Sequence, residues 1–83
     1  MEYYLLVARS ITHAQQMARA LEQAGIHTKL RRAGGDLTER GCGYTLSVGA
    51  AQYARARERL NAVGQYPAKV FFVSGSERRE VGL

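Results

Sequence analysis

The sequence has one cysteine, one proline and no tryptophan, and it contains no long apolar run. A single cysteine cannot form an internal disulfide, which excludes a disulfide-stapled scaffold. A membrane-spanning helix needs about 18 or more consecutive apolar residues, and no such run occurs. The first residues also lack the basic stretch and apolar core of a secretory signal. These absences predict a cytoplasmic protein with no membrane partner.

What the chain does contain is an ordinary globular composition with an excess of positive charge. Its 83 residues are 46% hydrophobic and 23% charged, which suits one small domain and excludes a disordered or collagen-like chain. Twelve lysines and arginines stand against seven acidic residues, so the net charge is +5, and ten of the twelve are arginines. Guanidinium groups suit phosphate and carboxylate, which indicates an anionic partner; a solvated basic surface is the alternative interpretation.

The pattern of apolar residues predicts four strands and two helices. Four segments have strand character: residues 3–8, 26–31, 44–48 and 68–73. Residues 11–24 and 50–63 each place their apolar side chains on one helical stripe, and each is followed by a glycine. The order βαββαβ predicts an α+β, ferredoxin-like domain with a four-stranded antiparallel sheet and two helices on one face. We assign residues 1–74 to this single domain and residues 75–83 to a polar, flexible C-terminal tail.

This topology predicts which parts of the chain meet at one edge of the sheet. The end of the first strand, the start of the first helix and the glycine-rich loop before the third strand share that edge. Ser10 or Thr12 is expected to cap the helix, and Thr12 has capping-box spacing to Gln15. Cys42 lies in the glycine-rich loop, so we expect it close to the helix N-terminus.

The strongest candidate for chemistry is the segment Arg40-Gly41-Cys42-Gly43. A thiol reacts as the thiolate, which nearby positive charge or a helix N-terminus stabilises. Arg40 supplies positive charge two residues from the thiol. Gly41 and Gly43 remove side-chain bulk, so a second sulfur atom can approach, and their N–H groups can face an anion. A buried, unreactive cysteine is the alternative interpretation.

Three residues at the predicted helix start are candidates for binding roles beside Cys42. Arg9 ends the first strand and Ser10 follows it. His13 falls in the first helical turn, where it would serve as a base or hydrogen-bond partner, although a surface histidine looks the same in sequence.

Three short motifs follow one another in the order of the predicted elements. Ser10-Ile11-Thr12-His13-Ala14 opens the first helix, Gly25-Ile26 precedes the second strand and Cys42-Gly43 precedes the third. This arrangement, over residues 2–73, resembles a family of small bacterial domains, the selenium/sulfur carrier protein-like family. The resemblance implies a cytoplasmic carrier that holds sulfur or selenium on Cys42 as a persulfide or selenopersulfide, with donor and acceptor proteins as its partners. Thr38-Glu39-Arg40-Gly41 stands where that family has small hydroxyl residues before the cysteine.

The alternative function is a non-catalytic, basic interaction module in which Cys42 is incidental. Such a module would form a homodimer through the open sheet face or bind an anionic partner such as RNA. RNA-recognition domains carry an aromatic run on the third strand, and residues 44–48 lack it, so nucleic acid is the less favoured partner. Tyr3, Tyr4 and Tyr44 nevertheless offer rings for stacking.

Other patterns add little to either function. Arg55 and Arg59, one helical turn apart, are a candidate phosphate-contacting stripe or a solvated face. The single cysteine and the two histidines, His13 and His27, lack the spacing of a zinc site, so we predict no metal. No phosphate-loop or dinucleotide motif is present, so we predict no cofactor, and a carrier or accessory protein is favoured over a complete enzyme.

Overall fold

The computed structural model describes residues 2–32 and 43–82. Its elements follow in chain order, with a short 3₁₀ turn at Ala50–Gln52 before the second helix: β1 (Glu2–Ala8), α1 (Ile11–Gln23), β2 (Lys29–Arg32), β3 (Tyr44–Gly49), α2 (Tyr53–Val63), β4 (Lys69–Ser74) and β5 (Glu77–Val81). The predicted α+β class, with two helices and an antiparallel sheet, is confirmed.

The sheet is built around β1, in the order β2-β3-β1-β4-β5. β1 pairs antiparallel with β3 on one side and with β4 on the other. Leu6 is opposite Leu46 in β3 and Val70 in β4, and all three side chains are buried. A short apolar run flanked by strands on both sides satisfies its backbone hydrogen bonds while removing its side chains from water.

The two helices pack on one face of this sheet. Side chains of α1 and α2 form a single core with every second residue of the central strands: Leu6, Ala8, Ala14, Met17, Leu21, Leu46, Val48, Ala56, Leu60 and Val70. Tyr4 lies on the same face and stacks on Tyr53 of α2, with ring centroids 3.8 Å apart and planes 10° from parallel. Because side chains alternate along a strand, Tyr3, Leu5 and Val7 lie on the opposite face.

The first helix ends as its sequence predicts, but the second strand begins later than expected. Gly25 has φ of 76°, a left-handed conformation that favours glycine. The N–H groups of Gly25 and Ile26 donate to the carbonyls of Glu22 and Leu21, each at 2.9 Å, which is the pattern of a Schellman cap. Ile26 is therefore part of the helix ending and is buried in the core, so β2 starts only at Lys29.

The prediction of four strands is wrong, because the polar segment after residue 74 forms a fifth. β5 pairs antiparallel with β4, and the proposed boundary at residue 74 falls between two strands of one sheet. Gly75, with φ of 59°, makes the tight turn. Two contacts explain why so charged a segment pairs: the guanidinium of Arg79 lies 5.6 Å from the ring centroid of Phe72, and Val81 packs against the core.

Removal of residues 75–83 should therefore destabilise the domain rather than trim a tail. The truncated chain loses the β4–β5 pairing and the cover of Phe72. We expect a loss of about 2 kcal/mol in the free energy of unfolding, which lowers Tm by about 8–16 °C in a domain of this size. Thermal unfolding followed by circular dichroism measures it, with removal of residues 82–83 alone as the control. Equal Tm for the two truncations would contradict the structural role of β5.

Candidate functional site

The candidate site divides between described and undescribed residues. Arg40, Gly41 and Cys42 lie outside the described residues, so their predicted roles stay predictions. The four other candidates are described: Arg9 and Ser10 follow β1, His13 is in the first turn of α1, and Gly43 precedes β3.

The structure brings Arg9, Ser10 and His13 together as the cap of α1. The Ser10 hydroxyl accepts a hydrogen bond from the backbone N–H of His13 at 3.1 Å, so Ser10 rather than Thr12 is the N-cap. The backbone N–H of Arg9 donates to Nδ1 of His13 at 3.2 Å. Two N–H groups are thereby satisfied, in the manner of a capping box. His13 thus has a structural role at the helix start, and its Nε2 remains for any second partner.

Strand register places Gly43 at the same edge as this cap. Ala8, the last residue of β1, is paired with Tyr44, the first residue of β3. Tyr44 is in turn paired with Arg32, the last residue of β2. Gly43, which directly precedes Tyr44 and directly follows Cys42, therefore enters the sheet beside the Ala8-to-Ser10 turn. Gly43, the residue next to Cys42, and the N-terminus of α1 therefore lie at the same edge.

The described residues at this edge carry positive charge. Arg9, Arg31 and Arg32 are exposed here, and the first turn of α1 contains no acidic residue to offset the positive end of its dipole. Two of the described carboxylates, Glu2 and Glu77, lie at the other end of the sheet, where both are paired with Ser74. The edge is therefore suited to an anion such as a thiolate or a persulfide.

The candidate phosphate stripe on α2 has a structural role. Arg59 donates from Nε to the carbonyl of Ala20 at 3.2 Å and from its guanidinium to Oε1 of Gln23 at 3.1 Å. Arg55 donates to the carbonyl of Ala24 at 3.0 Å. The carbonyls at a helix C-terminus lack intrahelical partners, and cations there interact favourably with the dipole. These arginines join α2 to the C-terminal end of α1 through hydrogen bonds.

The register also assigns the tyrosine rings to opposite faces of the sheet. Tyr4 and Tyr44 are partly buried and pack against the helix-covered core, so their rings are not presented on the open face of the sheet. Tyr3 lies on the other face and is half-buried. Lys29 and Arg31 of β2 are exposed and share that face, a grouping that sequence analysis missed, although the alternation Lys29-Leu30-Arg31 signals it.

Comparison with known proteins identifies the family. The family model described as "putative Se/S carrier protein-like" matches residues 3–71. The chain belongs to this family. The matched range includes Cys42 and all the candidate site residues, and it ends within β4, so β5 lies beyond it.

The other comparisons add no relative. No curated protein matches the sequence significantly, and neither does any solved structure. Neither α1 nor α2, the helices within residues 2–32 and 43–82, is long and apolar enough to span a membrane. In the same part of the chain, no three histidine, aspartate or glutamate side chains group closely enough to hold a metal ion.

Replacing Arg59 with alanine should destabilise the fold by about 1–2 kcal/mol. The change leaves the buried carbonyl of Ala20 without its charged donor. Arg57→Ala is the matched control, because Arg57 is exposed on the same helix. Both substitutions replace arginine with alanine and therefore change the helix propensity equally. Urea unfolding measures both variants, and the control is expected to stay within about 0.5 kcal/mol of the parent. Similar losses in the two variants would contradict the capping role of Arg59.

The stacked phenol of Tyr53 should make stability fall at high pH. Burial raises the pKa of Tyr53 above 10.0, its ordinary value; the nearby charge of Arg57 opposes this rise, and Tyr4 adds to it. The folded protein thus holds the phenolic proton more tightly than the unfolded chain. The contribution of the protonated Tyr53 phenol to stability is fully present below about pH 10 and is lost as the pH rises above that value. Urea unfolding between about pH 8 and pH 11, a range that spans the titration of tyrosine, is expected to show this loss. The substitution Tyr53→Phe should reduce it. A site-resolved NMR midpoint at or below 10.0 would contradict the prediction.

Proposed function

We propose that this protein is a cytoplasmic sulfur or selenium carrier that holds its cargo on Cys42 as a persulfide or selenopersulfide. The observation that carries the proposal is the family match over residues 3–71, a range that includes the chain's single cysteine. The charge and register of the described edge residues support it. Donor and acceptor proteins supply the reactions before and after the carrier.

The proposed loading step is an exchange of one sulfur atom between two thiols. The Cys42 thiolate attacks the outer sulfur of a donor persulfide. The bond between the donor's two sulfur atoms breaks, and its electron pair leaves with the donor as a thiolate. Cys42 then bears the persulfide, and no external oxidant or reductant is needed. With selenium as the outer atom the same exchange yields a selenopersulfide.

The edge beside Gly43 would contribute electrostatics rather than acid–base catalysis. Arg9 and Arg32 carry exposed charge near the point where the chain leaves residue 42 and enters β3. A cationic environment favours the thiolate before transfer and the anionic persulfide after it. Arg40 would add to this charge, and Gly41 and Gly43 would admit the donor's sulfur.

A second candidate function, a non-catalytic interaction module, is favoured by one observation. The sheet face that the helices leave uncovered has cations on β2 beside half-buried apolar side chains on β1. In this function Cys42 carries no cargo, and the two candidates therefore differ in what happens to the thiol.

Persulfide loading tests the carrier function directly. Reduced protein incubated with glutathione persulfide is expected to gain the mass of one sulfur atom, and Cys42→Ser should gain none. Arg9→Ala and Arg32→Ala should each slow loading by about two- to five-fold, the effect of one surface charge. Arg19→Ala, an exposed arginine in the middle of α1, is the matched control and should load at the parent rate.

Two results would contradict the proposal, the first its carrier function and the second the role of the charged edge. One is parent protein that remains unmodified while free glutathione and other small thiols exchange under the same conditions. The other is equal slowing in Arg19→Ala, since net charge rather than the edge would then govern the reaction. Circular dichroism of Cys42→Ser confirms that any loss does not arise from unfolding.

A further inference from the structure

The sheet face opposite the helices combines apolar side chains with cations. Tyr3 and Leu5 of β1 are half-buried there, and Phe71 of β4 is paired with Leu5 on the same face. Lys29 and Arg31 of β2 are exposed at one side of this apolar strip. Among the hydrogen bonds within the described part of the chain, neither cation has a side-chain partner. Within the described residues, the face therefore carries positive charge on β2 and an aromatic ring on β1, with β3 between them.

A pocket of about 460 Å³ lies on this face across β2, β3 and β1. Its volume is in the range of small-molecule sites, about 300–1,000 Å³. The residues lining it come from those strands and from the segment before β2: Glu2, Tyr3, Leu5, His27, Thr28, Lys29, Arg31, Thr45, Ser47, Val48 and Gly49. Among them, the carboxylate of Glu2 accepts a hydrogen bond from the Ser74 hydroxyl at 3.2 Å, so it is engaged away from the cations.

The lining is ordered by strand into three kinds of chemistry. Register places Lys29 beside Ser47 and then Leu5, and Arg31 beside Thr45. Positive charge is thus on β2, hydroxyl groups are on β3, and apolar contact comes from Tyr3 and Leu5 on β1. Neighbouring strands are about 4.8 Å apart, so Lys29 and Leu5, which lie in one row across the sheet, are separated by about 10 Å, and Tyr3 lies two residues further along β1. A ligand that satisfies all three strands has an anionic end, polar atoms in its middle and a flat apolar end.

We propose that this sheet-face pocket binds a nucleotide unit, with its phosphate on Lys29 and Arg31 and its base against Tyr3. Lysine and arginine are common phosphate ligands, and any of the bases can stack on an aromatic ring. Ser47 lies between Lys29 and the β1 side chains, where a sugar has its own hydroxyl groups. A second copy of this chain is a poor occupant, because its own basic β2 would add like charge to the face.

A free nucleotide and a single strand present the same chemical groups, and the choice of probe distinguishes between them. Binding of a fluorescein-labelled octamer of uridylate is measured by anisotropy, with UMP as competitor. The expected result is saturable binding at low salt. With one phosphate contacted, log K should fall with log salt with a slope of about −0.7 for a single strand. Competition by millimolar UMP indicates that one unit suffices, and its failure indicates that a strand is required.

Four variants locate the site, and a fifth serves as the control. Lys29→Ala and Arg31→Ala should each weaken binding and make the salt dependence shallower. Tyr3→Leu should weaken binding by about five-fold or more through loss of stacking, and Tyr3→Phe should not. Arg19→Ala on α1 removes the same charge elsewhere and should leave the affinity within twofold. Because Lys29 and Arg31 are exposed strand residues, their variants test the site even if Tyr3→Leu fails to fold.

Three outcomes would overturn the proposal. The first is no binding of the octamer at low salt. The second is an equal loss in Arg19→Ala, which would show attraction to net charge alone. The third is a labelled oligoglutamate that binds as tightly as the octamer and depends on Lys29 and Arg31, since the face would then recognise an acidic peptide. Cys42→Ser should bind the octamer normally, so this test is independent of the carrier function.

Discussion

The pairing of β1 with both β3 and β4 is the constraint on which the rest of the structure depends. One register of this apolar strand sends Leu6 and Ala8 into the core beneath the helices. The same register sends Tyr3 and Leu5 to the uncovered face. A slip by one residue would exchange the two sets, so the core and the sheet-face pocket are specified together. Burial of Leu6 between Leu46 and Val70 is what fixes the choice.

The same register determines the geometry of the candidate site. Because Ala8 is paired with Tyr44, the segment that carries Cys42 enters the sheet where α1 begins. The cap formed by Ser10 and His13 then fixes the start of the helix at this edge. At the other end of α1, Arg59 and Arg55 of α2 donate to the carbonyls of Ala20 and Ala24. Some arginines therefore join the two helices, and others give the sheet edge its positive charge.

Local patterns were sufficient to predict some elements and insufficient for others. The apolar run of β1 and the stop at Gly25 follow from the chemistry of a few neighbouring residues. The strand at Glu77–Val81 was missed because four of its five residues are charged, and only contact with Phe72 and the core makes such a segment pair. Arg59 looks like Arg57 in sequence, since what distinguishes them is the position of α1. The family resemblance was confirmed by the match over residues 3–71, whereas the role of Cys42-Gly43 and the reactivity of the thiol stay predictions.

The pH dependence of Cys42 alkylation tests the central claim most directly, namely that the charged edge beside α1 activates this thiol. Rates are read by intact mass on freshly reduced protein, for the parent and for Arg9→Ala. We predict a midpoint clearly below about 8.5, the ordinary value of a free cysteine, which moves upward in Arg9→Ala. A midpoint at or above that value, unchanged by the substitution, would contradict the claim and identify Cys42 as an unreactive residue.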